Sequence, residues 1–219
     1  MADRIYMLPV WLRVWHWTNA ALIIALSITG ASLHFAGSDL PVVPFRTARA
    51  VHNVAGLALA AAYAFFVVAN IVSGNWRRYL PKPGGCRRKV ITQIRYYLWG
   101  IFRGEPPPYP PTPRNHFNAL QQIIYWMVMY LAVPGVIVTG LIFLLPELAP
   151  DRILGLDGLL PVAVAHYLIG FVIVLFMLGH IYLGTTGVTV TSLFKMMITG
   201  WHEQEDAEPA SQPSRRPRT

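Results

Sequence analysis

Two histidines, His166 and His180, stand fourteen residues apart in one apolar stretch, VAVAHYLIGFVIVLFMLGHIYLG. His16 and His52 each stand near the start of another apolar stretch. Fourteen residues turn a helix through about 1400°, roughly 40° short of four full turns, so both rings leave nearly the same face. At ~1.5 Å per residue they are roughly 21 Å apart along the axis, most of the thickness of a bilayer core. A polar ring at membrane depth is costly and marks function. Four such rings near two depths predict two stacked metal sites with two histidines each.

The elements that must carry these rings are visible in the composition. Of the 219 residues, 54% are hydrophobic and only 13% charged, and the mean hydropathy is +0.43. Four stretches are each long enough to cross a ~30 Å hydrocarbon core: Leu12 to Phe35, Val51 to Ser73, Leu120 to Leu145 and Leu160 to Gly184. In lipid their backbone polar groups can be satisfied only as helices. The expectation is an all-α fold, an integral membrane four-helix bundle over residues 1–201. A polar tail, residues 202–219, follows it. The first stretch lacks an A-x-A-like cleavage site and reads as a retained span.

The net charge of +8 and pI of 9.9 would prompt a nucleic-acid reading in a soluble chain. Here the charge follows topology instead, and no nucleic-acid partner is expected. Fifteen of the 18 Lys and Arg lie in the amino-terminal lead, the loop of residues 74–117 and the tail, against Arg46, Arg49 and Arg152 elsewhere. The positive-inside rule places both termini and that long loop in the cytoplasm, with all seven tryptophans on or toward that side. The expected location is the bacterial cytoplasmic (inner) membrane. Within the loop, Val90, Ile91, Ile94, Tyr97, Leu98, Ile101 and Phe102 recur at helical spacing beside basic residues, as in an interfacial amphipathic helix. EPPPYPPTPR after it must be extended. No internal sequence repeat is evident. The single Cys86 cannot form an internal disulfide, and the absence of C-x-x-C-H excludes covalent c-type haem.

Topology sorts the histidines by depth. His16 at the inner end of span one matches His180 late in span four; His52 at the outer start of span two matches His166 early in span four. Imidazole suits several metals, so residue type alone does not choose one. Two ligands without carboxylate or thiolate leave a small ion under-coordinated, whereas a haem iron needs only two axial ligands. Two non-covalent, bis-histidine b haems are the simplest solution. His34, His116 and His202 read as interfacial or solvated. Small residues beside the ligands, including Gly56 and Gly170, would let a macrocycle approach.

A second signal lies at the inner mouth of span three, where Asn118, Gln121 and Gln122 precede IIYWMVMYLAVPGVIVTG. Asn118 and Gln121 share a helix face and offer amides to a quinone carbonyl; equally, they simply flank the helix at the headgroups.

These motifs resemble the dihaem cytochrome b (gamma, membrane-anchor) subunit of respiratory formate dehydrogenases, related to the cytochrome b subunits of nickel–iron hydrogenases and thiosulfate reductase. The resemblance runs from Arg13 to about Trp201. It rests on RVWHW, VHNVAGLAL, NALQQIIYW with VTGLIF, AHYLIGFVIVLFMLGHIYLG and SLFKMMITG. It implies that His52 and His166 hold an outer haem, near which iron–sulfur and catalytic subunits dock. His16 and His180 would hold the inner haem. Asn118, Gln121 and His180 would line the quinone pocket. The implied function is a transmembrane electron wire, from an outer-face partner to the quinone pool at the cytoplasmic side, or the reverse. The alternatives are a self-contained b561-type quinone oxidoreductase, the anchor of a hydrogenase or thiosulfate reductase, and a histidine-lined metal transporter. The last is disfavoured by the lack of intramembrane Asp or Glu. Oligomeric state is left open, a higher oligomer of the complex included.

Overall fold

The computed structural model describes residues 4–37, 42–78, 86–106, 108–109, 119–187 and 189–203. The chain divides into two compact units, Val14–Gly179 and a smaller one combining Met1–Arg13 with His180–Thr219. The elements run in the order β1 (Arg4–Tyr6), α1 (Val10–His34), α2 (Phe45–Val72), α3 (Cys86–Arg95), α4 (Ala119–Met127), α5 (Val133–Leu144), the short strands β2 (Arg152–Ile153) and β3 (Leu156–Asp157), α6 (Leu159–Gly184), α7 (Ser192–Thr199) and β4 (Trp201–Glu203).

Among the described residues three helices are both long and apolar enough to cross a membrane: Phe45–Val72, Leu120–Leu144 and Leu159–Gly184. The sequence predicts four. Helix α1 has the length, 25 residues. However, Arg13, His16, Asn19, Ser27, Thr29, Ser32 and His34 dilute its apolar content. Several of those polar groups are satisfied inside the helix: Ser27, Thr29 and Ser32 each donate to the carbonyl four residues back, at 2.7, 2.7 and 2.9 Å. Helix α2 begins at Phe45, before the expected span, with Pro44 in the N-cap position. His52 therefore stands on a helix that has already made two turns.

The Val14–Gly179 unit is held together by polar bonds at depth as much as by its core. Trp15 stacks on Phe66 (4.4 Å between centroids) while its indole N–H donates to the Ala62 carbonyl at 2.9 Å, fixing α1 against α2. The third span is interrupted. A wide π-turn, Val128–Ala132, separates α4 from α5, where Pro134 enters without an N–H. In the i→i−5 pattern of that turn, residue 134 would have donated to the Met129 carbonyl. The Tyr63 hydroxyl donates to it instead, at 2.9 Å. The sequence marks a kink at Pro134–Gly135; the side chain that compensates for it comes from α2.

Asn70, 1% exposed, links α2 to the third span. Its amide donates to the Tyr130 hydroxyl at 2.6 Å and its carbonyl oxygen accepts from Asn75 at 2.9 Å. Trp76, Trp126, Val67 and Ile71 join Asn70 and Tyr130 around an adjacent apolar cavity of about 240 Å³. Replacing Asn70 with leucine removes both of these bonds in a dry setting. The expected loss is about 1–3 kcal/mol, seen as a melting point several degrees lower in detergent. An unchanged melting point would show that the bridge contributes nothing.

Helix α3 continues through a π-turn at Tyr96–Gly100 and a 3-10 turn at Ile101–Arg103, so the expected amphipathic segment is helical throughout. Its apolar side chains Ile91, Ile94, Leu98 and Phe102 are exposed while Gln93 is buried. This arrangement suits a lipid boundary and not water. In the smaller unit, β1 pairs antiparallel with β4, Tyr6 opposite Trp201, and the two rings meet edge to face at 5.2 Å. The Met7 amide donates to the Gly200 carbonyl at 2.8 Å. Gly200 needs its φ of +84° here, and a Cβ on it would stand 2.8 Å from the Leu8 carbonyl. Strand β4 carries order two residues into the segment expected as a polar tail; residues 204–219 lie outside the described residues.

Candidate functional site

Of the four histidines singled out by depth, His52 and His166 stand together. Their ring centroids are 6.3 Å apart and their planes are inclined by 70°. Each is half-buried on its own long helix, α2 and α6. Phe143 packs edge-on against His166 at 5.6 Å. On the same unit, His34 stacks on Tyr167 (4.6 Å, 15°), an aromatic contact between α1 and α6.

Each of the paired rings is held by a threonine of a neighbouring helix. Thr29 Oγ1 lies 3.0 Å from His52 Nδ1 and Thr139 Oγ1 lies 2.9 Å from His166 Nδ1. In both cases the hydroxyl hydrogen is already committed to its own helix. Thr29 donates to the Ala25 carbonyl at 2.7 Å and Thr139 to the Gly135 carbonyl at 2.8 Å. Each threonine oxygen is then an acceptor for an Nδ1–H, and the Leu26 and Val136 carbonyls bond the His52 and His166 rings as well, an arrangement that favours the tautomer with its hydrogen on Nδ1. The lone pair is left on Nε2. Following each threonine is a glycine on which a Cβ would press the same ring: 3.3 Å from His52 Cε1 at Gly30 and 3.2 Å from His166 Cε1 at Gly140.

Sequence reasoning located both histidines but missed Thr29, Gly30, Thr139 and Gly140 as their partners. The available signal was a repeated Thr-Gly dipeptide, ITGA and VTGL, each followed after 23 or 27 residues by His-x-x-x-Gly. That pattern is an internal correspondence which the sequence reading did not find. Gly56 and Gly170, on the same helix faces as the two histidines, have no atom within 4 Å of a notional Cβ.

The other candidates are placed individually. His16, half-buried on α1, meets Trp17 edge-on at 5.3 Å. His180, half-buried, lies on α6 in the smaller unit. Gln121 is half-buried on α4 and its amide donates to the Tyr97 hydroxyl at 3.5 Å. Gln122 is buried. Asn118 lies outside the described residues. Beside Tyr97, burial together with the neighbouring Tyr97 and Glu105 raises the Tyr96 hydroxyl above the usual phenol range, so it stays a donor at neutral pH. Among the described residues no three His, Cys, Asp or Glu side chains gather to coordinate a bare metal ion.

Long apolar helices that bring two histidines together are what a membrane b-type cytochrome requires, and the comparisons with known proteins show that class. Over residues 8–200 the chain matches the family described as prokaryotic cytochrome b561, and it belongs to that family. It is 37% identical over 200 residues to YdhU of Escherichia coli (strain K12), named as a cytochrome; the match covers 91% of this chain and 75% of that protein. It is also 25% identical over 232 residues to a protein of Azotobacter vinelandii named as a Ni/Fe-hydrogenase B-type cytochrome subunit, covering 94% of this chain and 91% of the relative. A protein of the same name from Azotobacter chroococcum mcd 1 matches at the same identity and coverage.

Proposed function

We propose that this chain is a four-span, dihaem cytochrome b that carries electrons across the membrane between a catalytic partner and quinone. The observation that carries the reading is the geometry of His52 and His166. Two metal–imidazole bonds of about 2.0–2.1 Å, with roughly 1.1 Å from each ring nitrogen to its centroid, require centroids about 6.2–6.4 Å apart. The rings stand at 6.3 Å, each with Nδ1 engaged and Nε2 left for a metal. A pair of imidazoles is the donor set of a haem iron, which brings four nitrogens of its own. No atom lies within 4 Å of a notional Cβ at Gly56 or Gly170, one turn from each histidine, which leaves a macrocycle room to approach there. His16 and His180 would hold the second haem at the other depth.

The fourth crossing is α1. Strand β1 precedes α1, β4 follows α6, and the two strands are paired. Three crossings would leave the chain's ends on opposite faces; four return them to one. The distribution of Lys and Arg assigns that face to the cytoplasm.

When bound, each haem supplies an iron that accepts and releases one electron at a time. The protein's part is to ligate through Nε2 and keep both imidazoles neutral. Its apolar helices also exclude water from the path. At the inner mouth of span three, Asn118 and Gln121, with His180, would donate to a quinone carbonyl. On the opposite face a partner bearing iron–sulfur centres would exchange electrons with the haem of His52 and His166. The Azotobacter relatives, named as hydrogenase subunits, support a catalytic partner; a formate-oxidising one rests on the span-three motif.

A pyridine haemochrome assay on the purified protein tests this reading. About two b haems per chain are expected from two axial imidazoles per iron. One haem or none would overturn the pairing of the four histidines.

A further inference from the structure

We infer that Thr29–Gly30 and Thr139–Gly140 are two matched positioning devices that orient His52 and His166 and set their strength as ligands. This rests on the reading that those histidines ligate one iron. The two devices come from different helices, α1 and α5, yet agree in the contact to the ring, in the hydroxyl's own partner and in the glycine that follows. The Oγ1–Nδ1 distances are 3.0 and 2.9 Å. In each, the hydroxyl donates four residues back, at 2.7 and 2.8 Å. In each, the next residue is a glycine whose absent side chain leaves the imidazole Cε1 room, at 3.3 and 3.2 Å from a notional Cβ.

The chemistry follows from the direction of the bonds. A hydroxyl whose hydrogen goes to its own helix accepts from Nδ1–H, beside the Leu26 and Val136 carbonyls that bond the same rings, and so favours the tautomer with its lone pair on Nε2. A hydrogen bond accepted from the non-ligating nitrogen also makes the imidazole a stronger donor to the metal. Stronger donation favours the oxidised iron and lowers its potential. The glycines explain why the rings can lie this close to the neighbouring helix, since a Cβ at either position would have to displace the ring.

The test uses the haem-loaded full chain with Thr29→Val and Thr139→Val, which keep shape and lose the hydroxyl, beside Thr29→Ser and Thr139→Ser, which keep it. Redox titration with optical detection and electron paramagnetic resonance of the oxidised state are the readouts. Each valine variant should raise the potential and shift the resonance of the same single haem component, the one lost when His52 is replaced. Each serine variant should match the unaltered protein. If a valine variant loses that haem, serine at the same position should restore it with its normal potential. Valine variants that retain both haems with unchanged potentials and resonances would overturn the inference, as would serine variants that behave like valine. Retention of both haems by His52→Ala would instead overturn the ligation reading, a separate outcome.

Discussion

Alanine in place of His52 is expected to lower bound haem from about two to about one per chain and to remove one low-spin spectral component. A b haem has no covalent tether, so its retention depends on axial ligands and a pocket that fits it. His166→Ala should remove the same component, because the two rings stand 6.3 Å apart and serve one iron in the proposed arrangement. His16→Ala and His180→Ala should remove the other component. The functional consequences differ. Without the His52–His166 haem, electrons from a partner on that face find no first carrier, and the next one is roughly 20 Å away. Partner-linked quinone reduction should fall to background with the remaining haem unreduced. Without the His16–His180 haem, the partner should still reduce the first haem while turnover stops. A His16 variant that lost the same component as a His52 variant would show the pairing, or the topology behind it, to be wrong.

Asn118→Ala and Gln121→Ala are expected to weaken quinone-linked turnover while leaving haem content intact. A quinone carbonyl gains negative charge as it is reduced, so a donor held in a partly dry pocket counts for more than an exposed one. Loss of one such hydrogen bond costs roughly 1–3 kcal/mol, on the order of five- to a hundred-fold in affinity or rate. On sequence grounds Gln122, about 100° around the helix from Gln121, is the natural comparison. In the structure Gln122 is buried, at 9% exposure, so its truncation probes packing as well. Ile124, exposed on the same helix, is the better neutral position. Normal turnover in both amide variants, with both haems present, would mean that the amides only flank the helix.

The histidines of span four were legible because their relation is one-dimensional. Along a single helix, residue number alone sets the face that His166 and His180 share and their separation along the axis. The apolar stretches behind α2, α4 with α5, and α6 were legible for a related reason: a membrane admits an open-ended chain only as a helix, so composition and length decide the element. The same rule counted Leu12 to Phe35 as a fourth stretch, whereas among the described residues three helices are both long and apolar enough to cross a membrane, the polar residues of α1 keeping it out of that set.

What composition could not convey is which side chains meet across helices. The bonds from Tyr63 to Met129, Asn70 to Tyr130, His52 to Thr29 and His166 to Thr139 each depend on how two helices are rotated and how far each is shifted along its neighbour. Neither quantity is periodic in sequence. The pairing of β1 with β4 likewise joins segments almost two hundred residues apart, with too little hydrophobic alternation to announce either strand. The amino-acid sequence by itself therefore marked the long apolar helices and the spacing of His166 and His180 along one of them. Only the tertiary structure decided which side chain the Nδ1 of His52 and of His166 meets, because Thr29 and Thr139 stand on other helices.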